Sequence, residues 1–253
     1  MDVPGHLHPK VWSEYVWIMN SSAHAPAVAD AALVRDATDR LLAAAGRLSE
    51  NAVAEPSQLP GWTRGHVLAH LARNADALIN VLSGEPMYAG AEIRDADIER
   101  DAPRPLGEQL ADVRAASGRL DALFEAQDEA GWQRTVELRN GVKDLAAGIP
   151  FRRLVEIELH HVDLGIGYTI EDLPADFTDR ETANMAKRFA GHPDVPEAVE
   201  LRAEDGRSWR TGAATGDPVI VVGTPAALTG WLTGRTTGSG LSAASPLPAL
   251  PPL

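Results

Sequence analysis

Phe151-Arg152-Arg153-Leu154-Val155-Glu156-Ile157-Glu158-Leu159-His160-His161-Val162-Asp163-Leu164-Gly165 is a segment whose apolar residues occupy more than one side of a helix, as a centrally packed helix requires. At about 100° per residue, Glu156, His160 and Asp163 share roughly a 60° arc bordered by Ile157 and Leu164, so a single polar stripe crosses an otherwise apolar rod. This helix is expected over 151–167 as the fourth of four. Upstream, Val34, Ala37, Leu41, Ala45 and Leu48 recur at three and four residues and predict a first helix over about 28–49. The turn cluster Glu55–Gly61 leads to Thr63, an N-cap candidate for a second helix reaching about Leu82. A third is expected over about 106–128. The Gly-, Pro- and charge-rich stretch Ser83–Pro105 reads as a loop long enough to cover a site, and 131–149 reads as irregular.

A short helix over 178–190 completes the predicted bundle, residues 28–190. Gly191-His192-Pro193-Asp194-Val195-Pro196 then punctuates the chain like a linker. Beyond it, Ala198–Ala203 and Ser208–Ala213 flank the hairpin signal Glu204-Asp205-Gly206-Arg207, Pro218–Val222 is β-rich, and Thr224–Thr233 reads as a helix. The expectation is a mainly α protein: a four-helix bundle followed by a small α+β domain over 191–242. Residues 1–27 lack a sustained period and are expected as a poorly ordered arm or an upstream extension, with Met19 as an alternative start. The Pro-rich tail 243–253 is expected to be extended and poorly ordered.

Composition narrows the chemistry. The 253 residues carry 23 Lys+Arg against 36 Asp+Glu, a formal charge of −13, with no basic cluster to offset repulsion from nucleic acid. With no cysteine there is no disulfide, thiolate zinc site or protein thiol nucleophile, so any metal must be held by His and carboxylate. No apolar run approaches a membrane span, and a cytoplasmic protein is expected.

On the second helix, His70 and Asn74 lie at the edge of the apolar face, whereas His66 falls toward solvent. Facing helices supplying His70 and the pair Glu156 and His160 would offer three ligands to a divalent ion and leave positions open, as in catalytic rather than structural sites. Spacing alone leaves blander readings open. A histidine on an apolar face is commonly a satisfied core residue, and Glu156–His160 could be an ordinary intrahelical pair worth a few tenths of a kcal/mol. Glu158 and His161 have the Glu-x-x-His spacing of di-iron bundles, but the second such motif is missing. His6, His8, His24 and His192 lie in loop-like sequence and receive no role.

The stretch Leu59-Pro60-Gly61-Trp62-Thr63-Arg64-Gly65-His66-Val67-Leu68-Ala69-His70 resembles the signature of DinB-like metal-binding bundles. Glu156–Gly165 is similar to the late helix of the mycothiol-dependent maleylpyruvate isomerases, and Pro86-Met87-Tyr88 and Arg94 also look like that subfamily. The resemblance covers about residues 28–240. It implies that His70, Glu156 and His160 bind zinc, and that Arg235, in a Gly-Arg context after a helix, is the catalytically important arginine.

The implied activity is conversion of maleylpyruvate to fumarylpyruvate in gentisate-type aromatic degradation. Addition of a mycothiol thiolate gives the cis double bond temporary single-bond character, and elimination after rotation restores the thiol. Arg235 would clamp a carboxylate of the α-keto dicarboxylate substrate. Asn74, Arg94 and Tyr88 would contact the sugar-rich thiol, and Asp163 either orients His160 or is structural. Two other functions fit the same residues: a mycothiol S-transferase that leaves the thiol on an electrophile, and a non-catalytic zinc- or ligand-binding regulator. The reading involves neither nucleic acid nor membrane, and nothing in it demands more than one copy of the chain.

Overall fold

A computed structural model describes the backbone of residues 9–252 and side chains from residue 24 onward, Ala91 excepted. The chain divides into two compact units, residues 1–166 and 167–253.

The first unit is built on α1 (Pro9–Ala45), α2 (Arg64–Ser83), α4 (Leu106–Glu125) and α6 (Ile149–Asp163), with α3 (Ala91–Asp101) and α5 (Glu129–Gln133) between them. Each long helix buries a stripe at three- and four-residue spacing: Ala27, Ala31, Val34, Leu41 and Ala45 on α1, and Leu106, Val113, Ala116, Leu120 and Phe124 on α4. Helix α1 packs on α4 and α6, and α2 does the same, which closes a four-helix bundle. Thr63 caps α2 by accepting from the His66 amide, while His66 Nδ1 accepts from the Thr63 amide. Gly84, at φ 83°, ends that helix in the left-handed conformation.

Three expectations change in this unit. The first helix starts at Pro9 and passes through Pro26, so residues 9–27 are helical rather than an arm; Pro26 lacks one backbone donor but does not end the helix. Residues 1–8 of that expected arm lie outside the described residues. The stretch expected as a loop, 83–105, contains α3, whose eleven residues include seven charged ones and, among the described side chains, bury only Ile98 and Asp101, leaving almost no apolar period to read. Within 131–149, β1 (Thr135–Glu137) and β2 (Lys143–Leu145) pair antiparallel across Asn140-Gly141, both at positive φ.

In the second unit, α7 (Ala175–Phe189) and α8 (Pro225–Leu232) accompany a sheet of order β4-β3-β5-β6, formed by β3 (Ala198–Ala203), β4 (Ser208–Gly212), β5 (Val219–Gly223) and β6 (Ser242–Ala243). The β3–β4 hairpin turns at Gly206, and β5 runs parallel to β3. Met185, Phe189, Val199, Leu201, Val221, Leu228 and Trp231 form the core. The unit boundary falls near Gly167 rather than at 191–196. That punctuated stretch is an internal turn, with Gly191 bonded to Gly212 and Val195 in the core. The Pro-rich tail is irregular but seated, since Leu247 and Leu250 pack on the same core.

Gly65 lets α2 approach the end of α3: a Cβ there would lie 2.1 Å from the Ala102 carbonyl oxygen and 3.0 Å from Gln109 Nε2. Gln109 is buried and donates to the Ala102 and Arg104 carbonyls, so neither neighbour can yield freely. Gly65→Ala should cost roughly 1–3 kcal/mol and lower the melting temperature by about 3–10 °C in a calorimetric scan. An unchanged melting temperature would disprove this packing account.

Candidate metal centre

Helices α2 and α6 run antiparallel, and their side chains meet in successive rungs. Arg64 Nε donates to the Leu164 carbonyl at 2.9 Å, His70 Nε2 lies 2.9 Å from Glu156 Oε2, and Arg153 Nη1 lies 2.7 Å from Asn74 Oδ1. His160 joins the middle rung, its Nε2 3.3 Å from the same Glu156 oxygen. The His70 and His160 rings meet edge to face with centroids 4.7 Å apart. One ligand atom from each of His70, Glu156 and His160 lies within 4.8 Å of the others, and among the described residues this is the one convergent group of three such ligands.

The surroundings orient these ligands. Asp163, almost fully buried, places Oδ2 2.8 Å from His160 Nδ1, which leaves Nε2 facing Glu156. Arg94 Nη2 lies 3.3 Å from His70 Nδ1; the guanidinium can only donate, so Nδ1 accepts and the neutral His70 ring donates from Nε2 to Glu156. The Arg94 guanidinium also sits 6.0 Å from the centre of the Tyr88 ring. Trp62 covers the histidines from the loop before α2, with ring centroids 5.6 Å from His70 and 6.0 Å from His66.

Desolvation in this crowded site pushes the Glu156 carboxyl up. Hydrogen bonds and attraction from both imidazoles outweigh that and hold it well below the usual range, so it is anionic. Burial prevails at His70 and lowers it, favouring the neutral ring. Burial also opposes the charge on His160, but the bonds to Asp163 and Glu156 win and raise it. Burial likewise raises Tyr88 against the opposing pull of Arg94.

Two imidazoles and a carboxylate form a donor set suited to Zn2+, with positions left for another ligand. Glu156 already favours its ligating form; His70 is neutral but carries its proton on the nitrogen facing Glu156 and would have to shift it, and His160 would have to give up a proton.

The expected site residues are thus partly gathered. His70, Glu156 and His160 converge, with Arg94 beside His70, Tyr88 beside Arg94, and Asn74 one turn along α2. Arg235 belongs to the other unit. Gly234, at φ 73°, follows α8, the Arg235 amide donates to the Gly230 carbonyl at 2.8 Å, and Nη1 donates to the Thr233 carbonyl at 2.7 Å. Glu158 is buried and ion-paired with Arg40 of α1, outside the cluster, and His161 is buried outside it as well.

Sequence reasoning missed Trp62 and Arg153. Trp62 stands within the quoted signature, whereas Arg153 reads as one more charge on a helix. Arg153 is fully buried and donates to the Leu71 carbonyl, Asn74 Oδ1 and Ser117 Oγ, and burial pulls its pKa down to about 10. Tyr88 also lines a groove of about 600 Å3 between the segment after α2 and residues 134–141 of the β1–β2 hairpin, a volume within the range of small-molecule sites. No described helix is long and apolar enough to cross a membrane.

Because the bonds to Asp163 and Glu156 raise His160 above the ordinary imidazole value, its ring holds its proton to higher pH, and a cation must displace that proton. Zn2+ affinity should therefore rise with pH through the raised His160 value, with proton release visible by calorimetry in buffers of different ionisation enthalpy. A pH-independent affinity between 6 and 8 would contradict this electrostatic picture.

The family model described as the mycothiol maleylpyruvate isomerase N-terminal domain matches residues 34–165, and the corresponding C-terminal domain matches 172–252. The uncharacterized proteins MT0041 and Rv0036c of Mycobacterium tuberculosis are each 27% identical over 209 residues, 74% of this chain and 77% of theirs. The crystal structure of the mycothiol-dependent maleylpyruvate isomerase superposes with a TM-score of 0.82 at 25% identity, covering 89% of this chain and 96% of that one. A histidine-to-alanine variant of that enzyme superposes with a TM-score of 0.81 at 24% identity over the same shares. With both of its units matched in order, the chain belongs to the mycothiol maleylpyruvate isomerase family.

Proposed function

We propose that this protein is a zinc- and mycothiol-dependent isomerase that converts maleylpyruvate to fumarylpyruvate. The observation that carries the reading is the convergence of His70, Glu156 and His160 from two helices of a chain in this family. A divalent ion held by these residues would supply Lewis acidity that favours the thiolate form of a thiol near neutral pH, the form needed for reversible addition to a cis double bond. The chain has no cysteine of its own, so the thiol must come from a small molecule.

The protein's residues then have distinct tasks. Asp163 fixes the His160 ring with its Nε2 inward. Asn74, Arg94 and Tyr88 contact the thiol, and the groove beside Tyr88 offers room for its non-reacting sugar portion. Arg235 binds a substrate carboxylate through its planar fork of donors.

His70→Ala, Glu156→Ala and His160→Ala should each lose metal and turnover together in elemental analysis and a maleylpyruvate assay. Arg235→Ala should keep its metal while kcat/KM falls roughly 10- to 100-fold, the scale of a lost charge-assisted pair. Full zinc stoichiometry in all three ligand variants would overturn the site assignment. Turnover with substoichiometric mycothiol supports isomerisation, an accumulating thioether identifies an S-transferase, and no mycothiol-dependent chemistry with zinc still bound identifies a regulator.

A further inference from the structure

Arg153 carries a charge in the bundle interior with no carboxylate in ion-pair contact among the described residues, and its Nε is a sealed donor without a partner. Burying a guanidinium this way is costly. What it achieves is geometric. An arginine offers only donors, so the Asn74 amide must turn its carbonyl oxygen toward Arg153 and its NH2 the other way. That NH2 has no hydrogen-bond acceptor among the described residues, and Asn74 is buried, 3% exposed, one turn from His70. Asn74 follows His70 by one turn on the same face of α2, and the Asn74–Arg153 rung is the next one after His70–Glu156.

We propose that Asn74 donates a hydrogen bond from its amide nitrogen to a carbonyl or carboxylate oxygen of the small molecule held at the His70–Glu156–His160 centre, and that Arg153 is the positioning residue that fixes this amide. Left alone, an asparagine can present either its oxygen or its nitrogen by a half-turn of the amide; Arg153 removes the choice. The inference rests on the reading of the cluster as a ligand site and adds to it the atom presented and the chemistry it recognises.

The test separates a donor from a merely structural group. Asn74→Asp keeps the acceptor for Arg153, converts that bond to an ion pair and replaces the NH2 donor by a carboxylate oxygen that can only accept. The zinc-loaded protein is titrated by calorimetry with mycothiol and, separately, with maleylpyruvate, with metal content and melting temperature measured alongside. We expect full zinc, a melting temperature at or above wild type, and a Kd at least ~10-fold weaker for one ligand; the ligand affected identifies which one carries the acceptor oxygen. Wild-type affinity for both ligands in the folded Asn74→Asp variant overturns the inference and leaves the metal site standing. Binding of neither ligand by the wild-type protein overturns the site reading and the inference together. Should Asn74→Asp fail to fold, Arg153→Met decides: a neutral side chain of similar length frees the amide, Kd should weaken roughly 3-fold with zinc retained, and unchanged affinities overturn the proposal.

Discussion

The antiparallel register of α2 against α6 is the constraint on which the candidate centre depends. Moving along α2 from Arg64 to His70 to Asn74 corresponds to moving back along α6 from Leu164 to Glu156 to Arg153. A slip of one residue on either helix would rotate its side chains by about 100° and disperse the rungs. Leu68, Leu71, Leu78 and Ile157, all fully buried around these polar positions, hold the register, each side chain contributing on the order of 1.5–3 kcal/mol when removed from water. The Thr63 cap and the Gly84 terminus delimit α2, so apolar packing and helix-end chemistry together set where His70 points.

Inside that frame the polar groups depend on one another. Glu156 remains ionised because two imidazoles face it, and His160 takes charge because Asp163 and Glu156 face it from opposite nitrogens. Glu158, two residues from Glu156, is directed by helical geometry toward α1, where Arg40 satisfies it. One short helix thus serves two separate polar environments, and identical residue types acquire different chemistry from the side on which they project.

Periodicity carried most of the fold. Strong apolar spacing defined α2, α4 and α6, the Asp205-Gly206 turn announced the β3–β4 hairpin, and helix-wheel placement brought His70, Glu156 and His160 to one interior face. Signals failed where local composition and tertiary environment disagree. Helix α3 is held by few buried side chains and wears charge on most of its surface, so it reads as a loop although it delivers Arg94 to His70. Residues 9–27, which lack a sustained apolar period, nevertheless lie within a helix that passes through Pro26. The Gly-His-Pro-Asp stretch marks a turn, and turns occur inside units as readily as between them. Arg153 was illegible for a deeper reason: its burial is fixed by Leu71, Asn74 and Ser117 on two other helices, and no property of its immediate neighbours reveals them.

Trp62 extends the use of this architecture beyond binding. Its loop is stitched down by the Ser57 amide bonding the Trp62 carbonyl at 2.9 Å and by the Gln58 amide bonding the Asp163 carbonyl at 2.7 Å, while the indole lies against two imidazoles. An indole so anchored, next to the His70 ring of the ligand cluster, makes its emission a built-in optical gauge of the centre, with the other five tryptophans of the chain supplying the steady background.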